Sequence, residues 1–173
     1  MTDEMTSGGG PGRTIAYVLV GAVALALVAA LTLGGGEPVG DLDGNETGPV
    51  VVAGEGLPEF DGTSGDSAIG MMAPDFDATS FDGRQVLIRP GEGSGYVLAF
   101  FAHWCPHCQD EVPKLVDWIG RGGIPDGVEV VAVSTAVYLE RGNPPRAWLA
   151  VEGWPAVAVR DDDTSTVADA FGL

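Results

Sequence analysis

The hydrophobic pattern divides the chain into one long apolar run, a glycine-rich stretch and a region of shorter apolar segments. The long run covers residues 15–33 and carries no charged side chain over its 19 positions. At about 1.5 Å of rise per residue, a helix of that length crosses a hydrocarbon layer about 30 Å thick. A cleaved secretion signal has a shorter apolar core that ends in small residues, whereas this run ends in Leu-Thr-Leu. The pattern therefore predicts an uncleaved transmembrane anchor.

The charges on either side of this run predict its orientation. Arg13 precedes the run, and no basic residue occurs again before Arg84. Because Lys and Arg favour the cytoplasmic side, we expect residues 1–14 to be a cytoplasmic tail and the bulk of the chain to lie outside the plasma membrane. Residues 34–56 are rich in glycine and acid, which predicts a flexible linker. Residues 57–173 are then the folded domain.

Within this domain, the apolar segments predict a mixed α/β fold. Two short apolar stretches flank Asp82-Gly83, as in a hairpin. The stretch 96–102 is apolar at every position, as in a strand covered on both faces. The other predicted elements are helices at 109–119, 146–152 and 167–171 and strands at 128–133 and 155–159. A strand, a helix and a second strand at this spacing predict a parallel βαβ unit, hence a central mixed sheet flanked by helices and preceded by a hairpin.

Composition excludes one class of function. The chain has 25 acidic and 8 basic residues, for a net charge of −17. Binding phosphates requires clustered Lys and Arg, and the sequence contains no such cluster, so nucleic acid is excluded as a partner. The acidity is typical of a well solvated surface.

The candidate chemistry lies in the two cysteines of the chain, Cys105 and Cys108, which two residues separate. They follow an apolar strand and open a predicted helix, whose unpaired backbone N–H groups favour the nucleophilic thiolate of Cys105. Cys108, one turn further on, is expected to be shielded and to act as the resolving thiol. Three neighbours are expected to modulate the pair: Pro106 stiffens the turn, His107 adds a hydrogen bond or positive charge, and Trp104 offers a flat apolar edge.

Other interpretations of the pair are weaker. A structural disulfide across two residues would constrain little chain entropy. A zinc site needs four ligands, and the sequence has no second Cys-x-x-C and no distant histidine, so no metal or cofactor is predicted, although a metal-delivery module remains an alternative. Haem attachment needs a histidine directly after Cys108, where Gln109 stands. His103 is interpreted as a packing or loop residue.

Two stretches resemble the membrane-anchored bacterial thioredoxin-like proteins of the TlpA/ResA type: A-P-D-F-D-A-T-S-F-D-G-R-Q-V and Y-V-L-A-F-F-A-H-W-C-P-H-C-Q-D-E-V-P-K-L. The resemblance covers residues 57–173 and implies a thioredoxin-like fold that exchanges disulfides with protein thiols and with a redox partner. It also implies that Cys105 is the exposed nucleophile, that Cys108 resolves, and that Pro113 kinks the helix. The Pro-His dipeptide between the cysteines is the one found in DsbA-like oxidants, so the direction of exchange stays open.

The family places a cis-proline loop against the two sulfurs, and two alignments compete for it here. In one, Pro155 is that cis-proline and leads into the strand at 156–159. In the other, which we favour because 164–171 has a helical pattern, the stretch from Pro144 to Leu173 is an insertion that precedes the loop. Either alignment leaves no final helix, which indicates a domain incomplete at its C-terminus. A non-catalytic fragment of the fold is therefore an alternative.

Overall fold

The computed structural model describes residues 44–60, 62, 65–93 and 95–173. The predicted tail, anchor and first part of the linker, residues 1–43, lie outside the described residues. Within the part that is described, no helix is both long and apolar enough to cross a bilayer.

The described residues form six strands, three α-helices and a short 3-10 helix. The strands are β1 (Val51–Ala53), β2 (Asp75–Ser80), β3 (Gln85–Ile88), β4 (Gly95–Phe101), β5 (Val128–Ser134) and β6 (Val157–Arg160). The helices are α1 (Pro106–Gly120), the 3-10 helix (Leu139–Arg141), α2 (Pro145–Glu152) and α3 (Thr166–Ala170). Every strand and helix predicted within the domain is present, with ends that shift by up to three residues.

All six strands belong to one mixed sheet. Its order is β1-β2-β6-β5-β4, with β3 also paired to β2. β4, β5 and β6 run parallel, and the pairs that involve β2 are antiparallel. The predicted βαβ unit is confirmed as β4-α1-β5. β4 ends the sheet, because among the described strands it pairs only with β5. Its alternate side chains contact the hydrophobic cores on both faces of the sheet, as expected of a strand covered on both faces, although Val97 is 38% exposed.

The predicted hairpin is confirmed as β2-β3, and the chemistry of its turn explains it. Gly83 adopts a φ of +83°, which is easy only without a Cβ. The Asp82 carboxylate accepts hydrogen bonds from the Ser80 hydroxyl and, at 2.8 Å, from Arg84 Nε. The Ser80 bond is the main reason why the pKa of Asp82 lies below its ordinary value.

The sheet carries a hydrophobic core on each face. One core packs α3 against β2, β3, β5 and β6; its buried members are Phe76, Ala78, Ile88, Val131, Val133, Val159 and Val167. The other packs α1 and α2 against β4 and β5; its buried members are Phe101, Val112, Ala132, Trp148 and Leu149. Successive side chains of a strand point to opposite faces, so the apolar run at 130–133 of β5 supplies both cores.

The linker prediction is wrong for residues 44–56, which are folded onto the domain. β1 pairs with the first half of β2, on the edge whose other half pairs with β6. The Gly48 N–H donates to the Asp161 carbonyl at 3.0 Å, and the Arg146 N–H donates to the Glu46 carboxylate at 2.8 Å. The apolar patch at 50–52 explains the attachment, because Val50 and Val52 pack against the core beneath α3. The folded domain therefore begins before residue 57.

Two adjacent aspartates hold the start of α3. The Asp161 carboxylate, fully buried, accepts hydrogen bonds from the N–H groups of Val167 at 2.9 Å and Ala168 at 3.1 Å. Asp162 accepts one from the Thr166 N–H at 2.9 Å. These two aspartates cap the helix from four to seven positions before the N–H groups that they bond.

Candidate active site

The Cys-x-x-C pair lies at the junction between β4 and α1. After Phe101, a turn closes with the Cys105 N–H donating to the Ala102 carbonyl at 2.9 Å. Cys105 is the N-cap of α1, with φ −76° and ψ 122°, and Pro106 is the first helical residue. The helix therefore begins three residues earlier than predicted, because proline has the φ of a helix and lacks the N–H that a first turn leaves unpaired.

The environment of Cys105 favours its thiolate. The backbone N–H of Cys108 is the largest cause that lowers the pKa of Cys105; the Cys108 side chain and the His107 backbone N–H act in the same direction, and burial opposes them. Both sulfurs are thiols in this structure. The unpaired N–H groups of a helix start carry partial positive charge, so they stabilise an anion at this position.

Cys108 has the opposite character. It packs against the core beneath α1, and burial is the largest cause that raises its pKa; the neighbouring Cys105 thiolate adds to the effect. The pKa values of the two thiols are thus shifted in opposite directions, as expected of a nucleophile and a shielded resolving thiol. The geometry agrees with the predicted assignment of Cys105 to attack and Cys108 to resolution, and the assignment itself stays a prediction.

The three modulating residues contribute differently from one another. The His107 side chain is exposed and makes no hydrogen bond to any other described residue, so the contribution of His107 to the thiolate comes from its backbone. Pro106 is exposed at the helix start, as expected of a residue that stiffens the turn. Trp104 is half-buried, and its indole N–H donates to the Ala136 carbonyl at 2.8 Å.

His103 anchors the turn that precedes the cysteines. It is 2% exposed, its Nε2 accepts a hydrogen bond from the Tyr138 N–H at 3.3 Å, and its carbonyl accepts one from Gln109 Nε2 at 2.9 Å. These bonds tie the turn to the loop after β5 and to the first turn of α1. The interpretation of His103 as a packing residue agrees with this placement.

The sequence did not point to Tyr138 and Arg141, which lie over Trp104. The Arg141 guanidinium carbon is 3.7 Å from the centre of the Trp104 ring system, and the Tyr138 ring centre is 5.6 Å from it. Both residues come from the 3-10 helix region more than 30 positions further along the chain. Only the fold brings them to Trp104, the residue before Cys105, and no local pattern in the sequence indicates this contact.

Pro155 is not a cis-proline, because no described peptide bond is cis. It stands two residues before β6, which runs parallel to β5. Pro113 lies within α1, where it removes the N–H that would bond to the Gln109 carbonyl; the predicted kink stays a prediction. In the described part of the chain, no group of three or more His, Cys, Asp or Glu side chains is placed to hold a metal ion.

A mixed sheet with helices on both faces, and a Cys-x-x-C that opens the helix of a βαβ unit, define a thioredoxin-like domain. Comparison of sequences agrees, since the model of the AhpC/TSA family matches residues 69–173. That is more than half of the chain, and the chain belongs to this family.

Curated relatives support the resemblance to the TlpA/ResA type. The thiol-disulfide oxidoreductase ResA of Bacillus thuringiensis subsp. konkukian is 31% identical over 65 residues, which are 38% of this chain and 37% of that protein. ResA of Oceanobacillus iheyensis is 37% identical over 70 residues, 38% of this chain and 36% of that protein. The match thus spans little more than a third of the length of these relatives.

Two solved structures superpose on part of the chain. The thioredoxin domain of a thiol-disulfide oxidoreductase from Bacteroides vulgatus superposes with a TM-score of 0.48 at 19% identity, covering 60% of this chain and 73% of that one. StoA from Bacillus subtilis gives a TM-score of 0.43 at 19% identity, covering 55% of this chain and 69% of that one.

Proposed function

We propose that the protein is a thiol–disulfide oxidoreductase that exchanges disulfides with protein thiols through Cys105 and Cys108. The observation that carries the proposal is the asymmetry of the pair: backbone N–H groups lower the pKa of Cys105, and burial raises that of Cys108. Membership of the AhpC/TSA family and the similarity to ResA proteins support the same reaction class.

In the reductive direction, the Cys105 thiolate attacks one sulfur of a substrate disulfide. The substrate S–S bond breaks, a mixed disulfide forms between Cys105 and that sulfur, and the other substrate sulfur leaves as a thiolate that takes up a proton. Cys108 then loses its proton and attacks the Cys105 sulfur, which releases the second substrate thiolate. Two electrons pass from the dithiol to the substrate, and the chain is left with a Cys105–Cys108 disulfide.

The same steps in reverse oxidise a substrate dithiol, and the reduction potential decides which direction prevails. Stabilising the Cys105 thiolate stabilises the reduced protein, which raises the potential and favours oxidation of substrates. The similarity to ResA proteins is the argument for a reductase of particular partners. Equilibration of the full chain in glutathione buffers measures the potential: a value near that of DsbA, about −120 mV, indicates an oxidant, and one near thioredoxin, about −270 mV, a reductant.

A trapping experiment tests the roles of the two thiols. The reduced Cys108→Ser variant, exposed to insulin, should accumulate a mixed disulfide between Cys105 and an insulin chain, detected on non-reducing gels and by mass spectrometry. Cys105→Ser is the matched control and should trap nothing. If Cys108→Ser traps no adduct while the wild-type chain still reduces insulin, the assigned roles are wrong.

We also propose that residues 15–33 anchor the protein in the plasma membrane with the dithiol outside the cytoplasm. The charge-free apolar run and the position of Arg13 support this arrangement. The chain has two cysteines, both in the domain, so they report its location without any added label site. A membrane-impermeant maleimide should label them in intact cells; labelling that requires lysis would contradict the proposed orientation.

A further inference from the structure

A cationic and aromatic surface is built on the residue that directly precedes the nucleophilic cysteine. It consists of Trp104, Tyr138 and Arg141. Trp104 directly precedes Cys105, and its ring is fixed by the hydrogen bond from its indole N–H to the Ala136 carbonyl. The guanidinium of Arg141 lies over that ring, with 3.7 Å between its carbon and the ring centre, and 5.8 Å from the Tyr138 ring centre. A positive charge is therefore held on the side chain next to the reactive residue.

The charge of Arg141 is not neutralised within the described residues. Five other described cations, Arg84, Arg89, Lys114, Arg121 and Arg146, each form an ion pair with a carboxylate. Arg141 forms none, although Glu140 is its neighbour in the chain. An uncompensated arginine is unusual on a chain whose net charge is −17, where acidic side chains outnumber basic ones threefold.

The stacked geometry leaves this arginine able to bind a carboxylate. Stacking on an aromatic ring uses the flat face of the guanidinium and holds it in place. Its N–H donors point outward in the plane and can bind both oxygens of one carboxylate. The residue is exposed, so such a carboxylate can reach it from solvent.

We propose that Arg141, stacked on Trp104, recognises a carboxylate that the substrate carries next to its reactive sulfur. The surface then selects acidic thiols and disulfides, which the net negative charge of the protein would otherwise repel. This specificity rests on the proposed function, since it concerns the substrate that Cys105 attacks. The partner is a protein segment with Asp, Glu or a chain terminus beside its cysteine.

Two small disulfides of opposite charge isolate the effect. The probes are glutathione disulfide, which carries carboxylates, and cystamine, which carries only amines. Each reacts with the reduced full-length Cys108→Ser protein in neutral detergent: the Cys105 thiolate attacks one sulfur, a mixed disulfide forms, and the other half leaves as a thiolate. Mass spectrometry gives the two second-order rates and their ratio.

Arg141→Gln in this background should lower the rate with glutathione disulfide by about two- to fivefold, the scale of an exposed ion pair, and should not lower the rate with cystamine. Arg141→Lys should keep more of the preference than Arg141→Gln. The matched control is Arg121→Gln, which removes the same charge at the far end of α1, where Arg121 pairs with Asp117. It should leave the ratio unchanged, and added salt should reduce the effect of Arg141→Gln.

Three outcomes would overturn the proposal. Equal slowing with both disulfides would mean that Arg141 acts on the thiol rather than on the substrate. An equal change of the ratio in Arg141→Gln and Arg121→Gln would assign the effect to net charge. An unchanged ratio of rates in both variants would leave Arg141 without a role in recognition. If neither disulfide reacts at Cys105 even with Arg141 intact, it is the proposed function that fails.

Discussion

We expect removal of the Asp161 carboxylate to lower the free energy of unfolding of the domain strongly, although only a few atoms are lost. Its carboxylate has no solvent exposure and accepts three backbone hydrogen bonds. The donors are the N–H groups of Asp162 at 2.9 Å, Val167 at 2.9 Å and Ala168 at 3.1 Å. Substitution to alanine removes all three acceptor contacts at once and leaves the N–H groups of Val167 and Ala168 without an acceptor, while Asp162 still bonds the Thr166 N–H.

The size of the effect follows from the burial of the donors. Val167 is fully buried and Ala168 is 5% exposed, so water cannot readily replace the lost acceptor. A buried donor left without a partner costs about 1–3 kcal/mol, and loss of a helix cap typically costs about 1 kcal/mol. We expect Asp161→Ala to lower the free energy of unfolding by about 3 kcal/mol, which is a large part of the roughly 5–15 kcal/mol of a typical domain. Asp161→Asn keeps one acceptor oxygen and should lose about half as much.

Urea unfolding of the full chain in mild detergent measures this, with tryptophan fluorescence as the signal. Asp163→Ala is the control: it removes a carboxylate from the same turn, but that side chain is exposed. It should change the free energy of unfolding by less than about 0.5 kcal/mol. If Asp161→Ala loses less than about 1 kcal/mol, or no more than Asp163→Ala, the capping role assigned to Asp161 is refuted.

Three further predictions follow from the site and the core. Alkylation by iodoacetamide should reach half its maximal rate at a lower pH for Cys105 in the Cys108→Ser variant than for Cys108 in the Cys105→Ser variant. The reason is that a thiol with a lowered pKa forms its thiolate at lower pH. Equal midpoints would contradict the asymmetry of the pair. Glu46→Ala should lose about 1–2 kcal/mol of unfolding free energy and speed proteolysis within residues 44–56, unlike the exposed Glu55→Ala. Phe171→Ala removes a ring whose centre lies 5.9 Å and 5.3 Å from the centres of two other phenylalanine rings, and it should lower the free energy of unfolding in urea by about 2–3 kcal/mol. Phe171→Leu should lower it by about half as much. A loss under about 1 kcal/mol for Phe171→Ala would contradict the place of Phe171 in the core.

The elements found from the sequence are those whose signal is local. β5 shows as an apolar run interrupted only by Glu129, the β2-β3 turn as Asp82-Gly83, and the junction of β4 and α1 as a dithiol after a strand. Each of these depends on residues within a few positions of one another. The chemistry of the two cysteines was predictable for the same reason, because a helix start provides its N–H groups to any anion that caps it.

The features that the sequence missed depend on distant residues. β1 is three residues long and lies between glycine-rich stretches. It forms a strand because it pairs with the part of the β2 edge that β6 does not cover. The contact of Arg141 with Trp104 joins a loop to a turn 37 positions earlier. Pro155 was ambiguous because a proline before an apolar strand fits either peptide isomer; in the folded chain its peptide bond is trans, and the strand that follows pairs in parallel with β5. Tertiary structure decides such cases, and local propensity does not.

The attachment of residues 44–56 has a consequence for how the chain folds during synthesis. Glu46 bonds to a residue 100 positions later, and Gly48 bonds to Asp161, 113 positions later. A ribosome adds about 5–20 residues per second, so the partners of this segment are synthesised roughly 5–23 s after it. Until β6 has been synthesised, the half of the β2 edge that it will cover has unpaired N–H and C=O groups, open to any other extended chain. The contacts that close this half of the edge against wrong partners are therefore among the last to form.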